Sequence, residues 1–118
     1  LVARYEKHAT FKITLDDASG RERLRLETPG GNTVTLADEA RSVTLEDANG
    51  NSVELGPSGI TLTASGKVTI EASLVEVSAG SVNVNAGLSR FSGVAQADTV
   101  LSNSVVSASY TPGAGNIW

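Results

Sequence analysis

The sequence contains no cysteine and no methionine, and its aromatic residues are one Trp, two Tyr and two Phe. Without cysteine there is no disulfide framework and no thiol chemistry. With so few aromatics the chain lacks the side chains that bury the most area per residue. A chain of 118 residues built this way draws its stability from repeated small contacts or from partner chains. No apolar run approaches the ~20 residues that a membrane helix needs. No basic stripe is present, so nucleic acid is not an expected partner. The chain starts at Leu1 without Met, which reads as a piece of a longer or processed protein. Leu1–Thr10 is polar and charged, unlike a signal peptide.

The net charge is −4 and unevenly spread: all but two of the Asp, Glu, Lys and Arg residues lie in Leu1–Glu76. Only Arg90 and Asp98 follow, in a stretch rich in Ser, Ala, Val, Asn and Gly.

What is present is a repeat. An apolar–polar–apolar triplet recurs as Ile13-Thr14-Leu15, Leu24-Arg25-Leu26, Val34-Thr35-Leu36, Val43-Thr44-Leu45 and Val53-Glu54-Leu55. It continues as Ile60-Thr61-Leu62, Val68-Thr69-Ile70, Val75-Glu76-Val77 and Val82-Asn83-Val84. In a strand, such a triplet puts two aliphatic side chains on one face and a polar one on the other. Turn formers separate the early triplets: Asp17-Ala18-Ser19-Gly20, Pro29-Gly30-Gly31-Asn32, Asn49-Gly50-Asn51, Gly56-Pro57-Ser58-Gly59 and Ser65-Gly66. Triplet starts are spaced 11, 10, 9, 10, 7, 8, 7 and 7 residues apart. About ten residues suit strands of a meander with full turns. Seven or eight leave a strand and a corner, the geometry of a prism-shaped β-helix. Beyond Val84 the triplets blur, although Leu88, Phe91, Val94, Val100, Leu101, Val105 and Val106 keep the segment strand-prone. Weak helix formers and the lack of three-to-four apolar spacing exclude a helical reading.

Periodicity alone fits a monomeric solenoid or three intertwined chains. A solenoid this short would have three or four coils and no capping helix. Small, uniform interior residues suit a narrow core on a three-fold axis. The expected fold is therefore all-β: a homotrimeric, intertwined triple-stranded β-helix with a short neck of longer strands. The expected divisions are 1–33 for the neck and start of the shaft, 34–109 for the shaft, and 110–118 for a tip segment. The expected trimer core is Val34, Leu36, Val43, Leu45, Val53, Leu55, Ile60, Leu62, Val68, Ile70, Val75, Val77, Val82 and Val84. Roughly ten strands at ~4.8 Å spacing make a shaft about 48 Å long.

Phe11–Gly59, with Lys12-Ile13-Thr14-Leu15-Asp16-Asp17, Glu22-Arg23-Leu24-Arg25-Leu26 and Gly31-Asn32-Thr33-Val34-Thr35-Leu36, resembles the neck and first shaft turns of contractile-injection spikes. These are the valine–glycine-repeat spikes of type VI secretion and the phage baseplate assembly protein V group. Gly59–Ala72 is similar to their β-helix repeat. The ending Ser107–Trp118 is most similar to spikes of phage-tail-like extracellular injection particles. The resemblance implies a membrane-piercing central spike, joined to a baseplate hub and tail tube and carrying a tip protein of the PAAR-repeat family. It implies assembly in the bacterial cytoplasm into a phage tail or an extracellular injection particle. Some relatives bind tip iron through paired histidines. The single histidine here, His8, lies near the other end and does not support that.

Other candidate sites read as structural. His8, in Arg4-Tyr5-Glu6-Lys7-His8, has no clustered partner and reads as an exposed or neck-packing residue. Asp16-Asp17 and Asp38-Glu39 sit at turns rather than in a cleft that would separate two pKa values. Glu46-Asp47-Ala48-Asn49-Gly50-Asn51 lacks the spacing of an EF-hand loop. Gly30-Gly31 and Gly113-Ala114-Gly115 lack the context of a phosphate loop. The chain is expected not to be an enzyme and to need no cofactor, leaving only an ion trapped on a three-fold axis open. The segment singled out for function is Tyr110, Thr111, Pro112, Gly113, Ala114, Gly115, Asn116, Ile117 and Trp118. Three copies of its apolar end would form a platform for the tip protein. The alternative reading is a trimeric tail-fibre or adhesin shaft that binds a cell-surface receptor.

Overall fold

The computed structural model describes residues 2–6 and 10–111. Seven strands follow one another: β1 (Val2–Glu6), β2 (Thr10–Asp16), β3 (Arg23–Glu27), β4 (Thr33–Ala37), β5 (Ser42–Glu46), β6 (Ser52–Gly56) and β7 (Gly59–Thr63). They form one antiparallel meander in the order β1-β2-β3-β4-β5-β6-β7. The described residues contain no helix. Six of the triplets form the centres of β2 to β7, as their alternation predicts.

Local hydrogen bonds explain why the chain reverses where it does. Between β3 and β4, the Thr28 amide donates to the Asn32 carbonyl at 3.0 Å, and the Asn32 amide donates to Thr28 Oγ1 at 3.2 Å. Between β5 and β6 the same loop recurs with an aspartate in place of the threonine. The Asp47 amide donates to the Asn51 carbonyl at 3.1 Å, and the Asn51 amide donates to Asp47 Oδ1 at 3.0 Å. The fourth residue of each loop is a glycine in the left-handed region, Gly31 at φ +95° and Gly50 at φ +90°, where a Cβ is disfavoured. At the opposite sheet end, the β4–β5 turn closes through the Arg41 amide donating to the Asp38 carbonyl. The β6–β7 hairpin needs only Pro57-Ser58 between the paired Gly56 and Gly59.

The triplets align across every pair from β2 to β7. Ile13 faces Leu26, which faces Val34; Leu45, Val53 and Leu62 continue that row. Leu15, Leu24, Leu36, Val43, Leu55 and Ile60 form the second row. Between them runs a row of middle residues, Thr14, Arg25, Thr35, Thr44, Glu54 and Thr61, whose side chains lie on the other face. One face of the sheet is therefore aliphatic and the other polar.

The chain separates into two compact units, residues 1–75 and 76–118. None of residues 10–111 is buried. Among the described residues after Thr63 there is no strand, and no backbone–backbone hydrogen bond involves any of them. Meander pairing outlasts the fall in triplet spacing by one step: β6 and β7, whose triplets start seven residues apart, still pair, and the pairing ends after β7.

Candidate assembly surface

The aliphatic face is the most prominent chemical feature of the first unit. Each of β2 to β7 places two aliphatic side chains on it, and each cross-strand pair among them brings like partners together, a contact worth about 0.2–1 kcal/mol. Most of this face is exposed among the described residues of the unit. Leu45 is 53% exposed, whereas its polar neighbour Thr44, on the opposite face, is only partly exposed. The same inversion holds for Leu36 beside Thr35 and for Ile13 beside Thr14. A stable lone sheet would show the reverse. A sheet with one apolar face buries that face against another layer, and a contiguous exposed apolar surface marks a contact. Each aliphatic side chain fully covered contributes about 1.5–3 kcal/mol.

Of the expected core residues, Val34, Leu36, Val43, Leu45, Val53, Leu55, Ile60 and Leu62 lie together on this face. The remaining six, Val68, Ile70, Val75, Val77, Val82 and Val84, follow the meander and are exposed. Ile13, Leu15, Leu24 and Leu26 extend the same two rows, although the expected core began only at Val34. Their signal was the triplet itself.

On the polar face, Arg25 Nη2 lies 3.1 Å from Glu27 Oε1, and Lys12 Nζ lies 3.9 Å from Glu27 Oε2. These pairs are partly solvated, and such pairs contribute about 0–1 kcal/mol each. Of the acidic residues weighed as pairs, Asp16 braces a turn with its carboxylate and Asp38 with its backbone. Asp16 Oδ1 accepts the Ala18 amide at 3.0 Å, and this bond, ahead of the nearby Arg21 and Arg23 charges, lowers the Asp16 pKa. The Asp38 amide donates to the Glu22 carbonyl at 2.9 Å. Among the described residues, no group of three or more His, Asp or Glu side chains is placed to hold a metal ion.

Asp47 is the most heavily bonded acid. Oδ1 accepts the Asn49 and Asn51 amides at 2.9 and 3.0 Å, and Oδ2 accepts the Asn49 and Asn51 side-chain amides at 3.2 and 2.8 Å. The Asn51 side chain, then these backbone amides, lower its pKa to about 2. Asn51 in turn accepts the Ser65 amide on Oδ1 at 2.9 Å. A Cβ on Gly31 would lie 3.1 Å from Ala48 Cβ, and one on Gly50 3.5 Å from Ser65 Cβ. Three successive connections are thus stacked at one sheet end, a contact that triplet spacing alone did not indicate.

Within the proposed tip segment, Tyr110 and Thr111 are exposed. Pro112, Gly113, Ala114, Gly115, Asn116, Ile117 and Trp118 lie outside the described residues, as does His8. Residues 23–88 match a known protein family, the phage baseplate V C-terminal trimerisation domain. No curated protein matches the chain.

Proposed function

Because this chain belongs to the phage baseplate V C-terminal trimerisation domain family, we propose that it is the shaft of the membrane-piercing central spike of a contractile injection machine. Family membership makes it the C-terminal region of a baseplate spike, a homotrimeric part of a phage tail particle. In our reading, three copies cover one another's aliphatic faces over the meander. They then intertwine as a triple-stranded β-helix where the chain no longer pairs with itself. The observation that carries this reading is a chain of 118 residues with two rows of aliphatic side chains and no buried residue between 10 and 111. Such a chain reaches a packed core only in company.

The mechanism is mechanical. A contracting sheath drives a tube and spike into the target envelope, and strands cross-bonded between chains resist unfolding because many hydrogen bonds must break together. The scarcity of charge after Glu76 lowers the cost of passing transiently through a bilayer, where charged groups are expensive. The C-terminal segment Tyr110–Trp118 docks a PAAR-repeat tip protein, while the opposite end continues into the baseplate hub and tail tube. The chain itself carries no catalysis and takes no cofactor. Assembly takes place in the bacterial cytoplasm, before the particle acts on its target.

Deleting Gly115–Trp118 tests the tip assignment. Loss of PAAR-protein capture with an unchanged trimer is expected. Unchanged capture refutes the assignment.

A further inference from the structure

Beyond β7 the chain carries a repeat of corners as well as of triplets. Bends fall at Ser73, Gly80 and Gly87, closing heptads of one pattern: Lys67-Val68-Thr69-Ile70-Glu71-Ala72-Ser73, Leu74-Val75-Glu76-Val77-Ser78-Ala79-Gly80 and Ser81-Val82-Asn83-Val84-Asn85-Ala86-Gly87. The step then changes. After Ser92-Gly93 the bends fall at Asp98, Asn103 and Ala108, five residues apart. The intervening pentads are Val94-Ala95-Gln96-Ala97-Asp98, Thr99-Val100-Leu101-Ser102-Asn103 and Ser104-Val105-Val106-Ser107-Ala108.

The pentads differ from the heptads in chemistry as well as in length. A heptad carries Val/Ile at its second and fourth positions, which share a face in an extended strand. The last two pentads carry aliphatics at adjacent positions, Val100-Leu101 and Val105-Val106, which an extended strand puts on opposite faces. Their corners are also braced alike. Ser102 Oγ donates to the Ser104 carbonyl at 2.6 Å, and Ser107 Oγ donates to the Ser109 carbonyl. The same hydroxyl position thus spans the bend at Asn103 and at Ala108, one repeat apart. Side-chain bonds of this type compete with ladder pairing and favour turns.

The change of step coincides with the end of the family match, which closes at residue 88, one residue past the third heptad. We infer that residues 94–111 form a second trimerisation module, in which three copies of this chain pair through strands stepped by five residues rather than seven. The occupants of its open edges and apolar faces are the other two copies. Continuity with the matched trimerisation segment points to them. So does the backbone, which forms no backbone hydrogen bond to its own chain among the described residues. Such groups need partners in a stable fold. So do Leu101 and Val106, which the single chain leaves 98% and 97% exposed. With two fewer residues per side, each strand of the second module is shorter than in the heptads. Its register is set by serine-braced corners instead of by alternating valines.

The inference rests on the homotrimer proposed above, and hydrogen exchange on the full chain, with its mass measured in parallel, separates the two. A trimeric mass with amides 94–111 slowed by about 100-fold or more over unstructured chain supports the second module. A trimeric mass with 67–87 slowed and 94–111 exchanging freely overturns it and leaves the trimer standing. A monomeric mass overturns both. The five-residue step has its own test. Deleting Thr99–Asn103 removes one whole repeat and should preserve protection from Ser104 onward. Deleting Leu101–Ser102 should abolish it. Equal protection in the two deletions refutes the step.

Discussion

Asp47 shows how much of a turn one carboxylate sets. It accepts two backbone and two side-chain amides, and its pKa falls to about 2 from an ordinary 3.8. A carboxylate lowered on folding stabilises the folded state above its unfolded pKa, and that contribution is lost as pH falls through the folded value. The acid-sensitive window is therefore between 3.8 and about 2. Thermal midpoints of the wild type should fall across it more steeply than those of Asp47→Asn, which has no charge to lose. Parallel slopes in the two proteins contradict the assignment. The glycines of the stacked loops give a second test. Gly31→Ala combines a left-handed φ with a contact at 3.1 Å to Ala48 Cβ, whereas Gly20, at φ +82°, has open space around it. Both substitutions strain the backbone, by about 1–3 kcal/mol. Denaturant melts should show the larger loss for Gly31→Ala, and equal losses argue against the stacking.

At the scale of the strand, the two faces make opposite predictions from those of a monomer. In a lone chain, Asp at the half-exposed Leu45 should be nearly harmless, and Asp at the more sheltered Thr44 should cost more. If the aliphatic face is covered by partner copies, the order reverses. Leu45→Asp then buries an unpaired charge at three interfaces and dissociates the assembly, while Thr44→Asp leaves it intact. Sedimentation of both variants decides between them. The strands β2 to β7 were legible in the sequence because alternation and turn chemistry agreed at each one, whereas β1 carries no triplet and the register came from the structure. Ile13, Leu24, Val34, Val43, Val53 and Ile60 each open both a triplet and the central part of a strand. The stacking of the loops was not legible, because it depends on Thr28 and Asp47 doing one job with different side chains. The pentads were not legible either. Once aliphatics become adjacent, alternation disappears, and the step is carried by Ser102, Ser107 and the bends beside them.

For the molecule as a whole, the sequence lacked the means of a monomeric core, and the chain shows the consequence: its strands are formed but nothing between residues 10 and 111 is buried. All-β character was legible from composition and the triplets. The choice between a solenoid and intertwined copies was not decided by periodicity, which both share. It turned on the missing cap and the small interior residues, and the match to a trimerisation family over residues 23–88 is the independent finding on that side. The account as a whole stands on three copies sharing one core, and the most direct measurement is the mass of the 12.1 kDa chain in solution. Multi-angle light scattering at micromolar concentration should return three times that mass. A folded species at 12.1 kDa would contradict the account.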